Sequence, residues 1–247
     1  MPEPTLHDEI WARYQEVHEG HLNYDPVLHR SWAKKSMFKN IAPHFRNPMI
    51  PKHDVDLLEI ACGQGHMLEA LGAYGHYKRE GTDLCPINVI KCQAHGLKVQ
   101  LRDVFKNPLD QRFDAILMMG IIEHIKKDEL LPSMRNVMRM LRPGGSLVIT
   151  TQNMDAVIGT HYRYLDMTHE LGFTRESLNQ IGRLCTDGLV EVYPWRDPVP
   201  DGLVRKTAWV LRRLYRPLWK AHVFLSEPER FHSWFAELGL IGVWWKK

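Results

Sequence analysis

A chain of 247 residues with 44% hydrophobic and 25% charged residues has the composition of a water-soluble globular protein and can bury a substantial core, which excludes a fibrous or largely disordered chain. A formal net charge of +3 is too small to point to nucleic acid, no apolar run approaches the about eighteen residues of a membrane span, and no charged-then-apolar leader opens the chain. Four cysteines, Cys62, Cys85, Cys92 and Cys185, form no Cys-x-x-Cys pair and no metal-ligand spacing, so they are read as reduced thiols of a cytoplasmic protein.

Residues 1–50 carry many aromatics and histidines (Trp11, Tyr14, His18, His21, Tyr24, His29, Trp32, Phe38, His44, Phe45) broken by Pro26, Pro43 and Pro48. This segment is expected to form a cap of two or three short helices over one end of the core. Its histidine spacings are irregular and suggest no metal. From Val55 the pattern becomes regular: a strand over 55–61, a helix over 65–74, a strand over 79–83, a helix over 86–95 and a strand over 97–103. A fourth strand follows from Phe113 to Met119, then a helix from Leu130 to Leu141 and a fifth strand over 145–151 after the turn Arg142-Pro143-Gly144-Gly145. Apolar strands alternating with helical patterns predict an α/β fold, doubly wound, with a mostly parallel sheet covered on both faces. Ligands of such sheets sit at the carboxyl ends of the strands.

After Thr151 the chain loosens into a polar and aromatic connection, read as a loop, and then restarts as a helix with Thr174 as its N-cap and Ser177 behind it, running to about Cys185. Leu189 to Trp195 is expected to be a sixth strand and Leu238 to Trp245 a seventh, antiparallel one. The chain thus divides into an N-terminal helical cap (1–50), a core (51–195), and a basic, aromatic insertion that ends in the last strand (196–247).

The stretch Val55 to Asp83 organises the rest. A short apolar run ends in Glu59 and a Gly63-x-Gly65 turn, and a second acidic residue, Asp83, follows twenty positions after Gly63. Glycine lets the backbone turn sharply off a strand and approach a ligand closely, and an acidic residue at the tip of the next strand can accept hydrogen bonds from ribose hydroxyls. A Walker-type phosphate loop needs Lys and Ser or Thr after the second glycine, where His66-Met67-Leu68 stand; a dinucleotide turn needs a third glycine where Leu68 stands. Both readings weaken, leaving a nucleotide-like ligand without a pyrophosphate.

With Glu59 to Gly65, Asp83, Asp103, the segment FDAILMMGIIEHI and the segment LRPGGSLVITT in that order, the chain resembles the class I S-adenosylmethionine-dependent methyltransferases, over Val55 to about Ser177. The resemblance implies a seven-stranded Rossmann-like methyltransferase fold with S-adenosyl-L-methionine as cofactor and no metal. It implies that Glu59, Ala61, Gly63 and Gly65 cradle the methionine part, that Asp83 and Leu84 serve the ribose, and that Asp103, Val104 and Met119 line the rest of the cofactor.

Two places are candidates for proton removal from an acceptor. His124 follows the fourth strand, where its imidazole can serve as a base or simply pack beside the cofactor. The segment from Tyr162 to His169, followed by Phe173-Thr174-x-x-Ser177-Leu178, resembles methyltransferases of bacterial surface-polysaccharide and natural-product pathways. Within it Asp166, three residues before His169, is placed to orient that imidazole, and Tyr162, Arg163 and Tyr164 are expected to meet substrate. The expected acceptor is a small molecule or glycan carrying a hydroxyl. RNA methylation and a non-catalytic partner protein are the alternatives, and nucleic acid is disfavoured because no RNA-binding module accompanies the core. Residues 204–220 read as an amphipathic basic helix. Its plainer reading packs the apolar stripe on the core; the other lays it on an anionic membrane surface or has it grip a phosphate-bearing substrate.

Overall fold

The structure, a computed structural model, describes residues 26–45, 55–74, 77–226 and 237–247. Seven strands form one sheet: β1 (Val55–Ile60), β2 (Tyr77–Asp83), β3 (Val99–Leu101), β4 (Phe113–Met119), β5 (Leu141–Gln152), β6 (Val190–Pro194) and β7 (Gly239–Trp245). Their order is β3-β2-β1-β4-β5-β7-β6. β1 to β5 pair in parallel, whereas β7 runs antiparallel to both β5 and β6. The Rossmann-like methyltransferase fold expected from the sequence is therefore present.

Side chains alternate across a strand, so each buried strand feeds two cores. On one face Leu58, Ile60, Ile116, Met118 and Ile149 pack against α4 (Leu130–Met140) and α6 (Arg175–Cys185). On the other, Leu57, Ala115, Leu117 and Val148 pack against α1 (Pro26–Ser36), α2 (His66–Tyr74) and α3 (Pro86–Ala94). Each fully buried aliphatic side chain contributes about 1.5–3 kcal/mol, and both faces of the sheet are filled in this way.

The helix α1 continues into a π-helical turn (Met37–Ile41) and a 3-10 turn (Ala42–Phe45), whose Met37, Ile41, Ala42 and Phe45 are buried in the second core. The described part of the cap thus covers a face of the sheet rather than its end. Trp11, Tyr14, His18, His21, Tyr24 and Pro48 lie outside the described residues.

Besides shifts of one or two residues at strand ends, three features differ from those expected. β5 begins at Leu141, because the Arg142-Pro143-Gly144-Gly145 turn is taken into the strand as an irregularity: Phe113 faces Leu141 and Ala115 faces Ser146. Arg142 pins this point, donating to Asp114 and to Asp56 at 2.9 Å each and so joining β1, β4 and β5. The connection after β5, expected to be a loop, contains the short helix α5 (Gly159–Leu165). Its Gly, Thr and aromatic residues are weak helix formers, which is why the local signal was poor.

The third difference concerns α7 (Leu203–Ser226), which leaves the sheet between β6 and β7. Packing of its apolar stripe on the core is overturned: Leu211, Leu214 and Leu218 are 60%, 68% and 67% exposed. Two of its arginines reach back to the segment after β6 instead. Arg212 and Arg216 bond Asp197, and Arg216 also bonds Glu237. The sheet offers α7 no free face, since α1 to α4 and α6 already occupy both.

Candidate active site

The crevice lies along the carboxyl ends of β1 to β4. At the end of β1 the chain reverses through three residues with positive φ, Ala61 (55°), Gly63 (54°) and Gly65 (78°). A side chain on Gly65 would strike Leu97 and Cys92, so glycine there lets α2 start against α3. A Cβ on Gly63 would meet nothing within 4 Å: this glycine borders open space, where a ligand can lie against bare backbone. Ala61 holds the left-handed region at a cost of roughly 1–2 kcal/mol, strain of the kind found where backbone is shaped for binding.

Asp83 fixes this turn. Its two carboxylate oxygens accept the Gly63 and Cys85 amides at 2.8 Å each. Burial pushes its pKa up, and the Cys85 and Gly63 amides hold it down. Glu59 is buried, and burial first, then the nearby Cys92 and Asp83, push its pKa well above the carboxylate range. Its Oε2 has no hydrogen-bond partner. A buried, unpaired carboxyl oxygen beside an open glycine fits the ammonium of a bound amino acid. Leu84 is exposed beside Asp83. Asp103 shapes the turn after β3, accepting the Phe105 and Lys106 amides, and Val104 beside it is fully buried. Met119 is half-buried at the last position of β4. The residues expected around the cofactor are thus brought to one end of the sheet, and the orphaned Glu59 oxygen and open Gly63 fit S-adenosylmethionine.

Beyond β4 the chain makes a single 3-10 turn (Ile122–His124) that presents Glu123 and His124, both buried. The segment after α5 brings Asp166, Thr168 and His169 onto them. The His124 and His169 rings meet edge-on, 4.7 Å between centroids and 61° between planes. Thr168 Oγ1 donates to Asp166 Oδ1 at 2.7 Å, and its amide donates to the same oxygen at 2.8 Å. With its proton committed to the carboxylate, Thr168 Oγ1 accepts from His124 Nδ1 at 2.8 Å. His169 Nδ1 faces the Tyr162 carbonyl at 2.9 Å and donates to it, because a carbonyl only accepts. Both histidines therefore carry a proton on Nδ1, and in His169, which burial keeps neutral, Nε2 carries the lone pair.

This arrangement corrects one expectation: Asp166 orients His124 through Thr168, while the hydrogen bond that orients His169 comes from the Tyr162 backbone. Burial lowers the His169 pKa, with Asp166 acting in the opposite sense. Burial raises the Glu123 pKa to about 7, against the pull of its own backbone amide and of Thr151, whose hydroxyl donates to Oε2 at 3.0 Å. Arg163 donates to the His169 and Glu170 carbonyls, and the Glu123 carbonyl accepts the Glu170 and Leu171 amides at 2.8 and 2.9 Å. Tyr162 is half-buried, and Tyr164 is 70% exposed. Glu123, Thr151 and Thr168 were not singled out from the sequence; only the Asp-x-Thr spacing, which permits the side-chain turn now seen, signalled any of them.

Topology, glycine turn and paired acidic residues together define a nucleotide-binding domain of the class I methyltransferase type. The chain belongs to the methyltransferase-domain family, whose model matches residues 24–187. It is 24% identical over 141 residues to the mitochondrial ubiquinone biosynthesis O-methyltransferase of Dictyostelium discoideum, covering 47% of this chain and 43% of that protein. It is 28% identical over 134 residues to the probable tRNA methyltransferase 9B of Mus musculus, covering 49% and 29%. The chain spans about half the length of the first curated relatives it matches. A SAM-dependent methyltransferase from Archaeoglobus fulgidus shares its fold, with a TM-score of 0.65, 18% identity, and coverage of 96% of this chain and 99% of that one.

Proposed function

We propose that the protein transfers a methyl group from S-adenosylmethionine to a hydroxyl oxygen of a small-molecule or glycan-linked acceptor, the proton leaving to a histidine of the Glu123–His124–His169 centre. The observation that carries this reading is the contact of His169 Nδ1 with the Tyr162 carbonyl, since it puts the ring proton on Nδ1 and leaves Nε2 of a buried imidazole able to take a hydroxyl proton. When bound, the cofactor supplies an electrophilic methyl whose transfer discharges a sulfonium, so the protein's task is alignment in a dry site. Glu59, Ala61, Gly63, Gly65, Asp83, Leu84, Asp103, Val104 and Met119 hold the donor. His169 is the base, Asp166 orients His124 beside it through Thr168, and Tyr162, Arg163 and Tyr164 border the acceptor. Formation of S-adenosylhomocysteine with a panel of sugar, phenol and aliphatic alcohol acceptors tests it. Turnover confined to amines or carbon acid acceptors would sink the O-methylation reading.

The exposed stripe of α7 supports a membrane-surface location on the cytoplasmic side. Val204, Leu211, Leu214, Tyr215 and Leu218 recur at helical spacing and face outward, and the 24 residues of the helix contain no Asp or Glu. An apolar stripe flanked by Arg205, Lys206, Arg213 and Lys220 suits acyl chains and anionic headgroups. No described helix is long and apolar enough to cross a membrane. Co-sedimentation with phosphatidylglycerol vesicles is expected, together with its loss in the double substitution Leu211→Glu and Leu214→Glu. Equal binding by that variant, or a concentration-dependent dimer in place of vesicle binding, would refute the location.

The mouse relative's name favours tRNA as a second reading. Against it, Arg212 and Arg216 are turned in to Asp197 rather than outward. Methyl incorporation into bulk tRNA decides between the two.

A further inference from the structure

We infer that the cavity between α7 and the π-helical turn binds a phosphate group, carried by a soluble substrate or by a lipid headgroup. The cavity measures about 290 Å3 and is lined by Lys39 of that turn, Arg196 after β6, and Arg212, Arg213 and Arg216 of α7. Against these five cationic side chains its wall carries two carboxylates, Asp197 and Glu237. A concave surface with such a surplus of positive charge concentrates anions.

The two carboxylates are already shared. One oxygen of Asp197 serves two guanidinium groups, Arg212 at 2.9 Å and Arg216 at 3.3 Å, and Arg216 also reaches Glu237. Arg216 still has a buried Nε without an acceptor. The other three cations have no carboxylate partner among the described residues. Lys39 donates to the Asp197 carbonyl at 2.6 Å, and Arg213 lies over the Trp209 ring, 4.7 Å from its centroid. Arg196 is placed through its backbone, since Asn40 bonds both its amide and its carbonyl. Burial first, then the charge of Arg213, lower the Lys39 pKa, with Arg196 and Arg216 adding to this and Asp197 opposing it. Cations crowded without enough counter-charge behave in this way. A guanidinium meets phosphate through paired N–H donors, and a phosphate offers several oxygens and up to two charges, so one such group engages more than one arginine at once.

The cavity stands at the same end of the sheet as the crevice. Gln152 at the end of β5 pairs with Gly239 at the start of β7, and Pro194 at the end of β6 pairs with Leu240, so residues 195–238 leave and return there. Asn153 fastens this stretch, its side-chain amide donating to the Glu237 carbonyl and its backbone amide to the Leu238 carbonyl, both at 3.0 Å. At the usual spacing of about 4.8 Å, the end of β6 lies three strands, or roughly 14 Å, from the end of β4. A phosphate held here is on the acceptor's side of β4, and the Gly63 turn is on the other. The site rests on neither the O-methylation nor the membrane location proposed above.

The test uses the full chain in a chloride buffer. Inorganic phosphate and glucose 1-phosphate are titrated by calorimetry, and phosphatidylglycerol vesicles are co-sedimented. The double substitution Lys39→Gln and Arg196→Gln leaves the Asp197 bonds of Arg212 and Arg216 in place; S-adenosylhomocysteine bound as in the parent protein shows that it folds. Saturable binding of either soluble phosphate at one site per chain, weakened at least about tenfold in the double variant, supports the site and assigns it to a soluble substrate. Binding to vesicles alone, weakened by the same factor in that variant, supports the site and assigns it to a lipid headgroup. Absence of all three kinds of binding, or binding that the double variant keeps, overturns the site. Vesicle binding lost in Leu211→Glu with Leu214→Glu but kept in Lys39→Gln with Arg196→Gln, without soluble phosphate binding, overturns the site and leaves the membrane location standing. Soluble phosphate binding with no vesicle binding supports the site and removes the membrane location instead.

Discussion

On the donor side of the crevice the polar contacts that shape the Gly63 turn come from residues between Glu59 and Cys92, and most are backbone amides meeting one carboxylate. On the acceptor side Glu123, His124, Thr151, Asp166, Thr168 and His169 come from three separate stretches, which side-chain contacts join to one another, with His169 held by the Tyr162 backbone. The donor side is a local structure that the sheet displays. The acceptor side exists only once β4, β5 and the segment after α5 have docked. The difference teaches where to look: with the proposed roles, substitutions in the first half are expected to change cofactor affinity and those in the second turnover.

The comparison would break most visibly at Asp83. Removing its carboxylate in Asp83→Ala leaves two part-buried amides without acceptors, each bond worth about 1.5–3 kcal/mol when made to a charge. S-adenosylhomocysteine affinity measured by calorimetry is expected to fall about 100-fold or more. His169→Ala is expected to lower turnover by roughly 100- to 10,000-fold, with calorimetric cofactor affinity within about twofold of the parent. A comparable loss of affinity would erase the division between the halves. Thr168→Val, which cuts the link from Asp166 to His124, is expected to lower turnover about 10- to 100-fold; an unchanged rate would mean His124 needs no orientation.

The smallest effect concerns stability. Arg112 and Lys98 hold Glu80 on β2, and the Arg112 hydrogen bonds lower its pKa. Such a depressed carboxylate stabilises the fold above its unfolded pKa of about 4.3, and that contribution is lost as pH falls through the lower folded value. In urea unfolding, Glu80→Gln is expected to cost stability at pH 7 and to cost progressively less toward pH 3. A gap independent of pH would assign the loss to packing.

What the sequence made legible follows the same division. The strand alternation, the Gly63 to Gly65 turn, Asp83, and the Thr174 cap with its reciprocal Ser177 bond are all short-range patterns, and each is found where expected. Asp166 acts on His169 through its charge, as expected, but its hydrogen-bond link runs to His124 instead, because the Thr168 relay crosses 44 positions and leaves no periodic trace. The outward stripe of α7 escaped for a related reason: amphipathic spacing shows that a helix has two faces, and only the occupied sheet decides which one is turned out.

The position of α7 has a further consequence. The strands it separates are already joined where it departs and returns, for the Trp195 amide donates to the Gly239 carbonyl at 2.8 Å. A two-residue hairpin could span that gap without disturbing the sheet. The stretch from Arg196 to Leu238 is therefore an excursion that the β6–β7 pairing does not need, held instead from the other side by Ser31, Lys35 and Asn40, which bond Asp201 and Arg196.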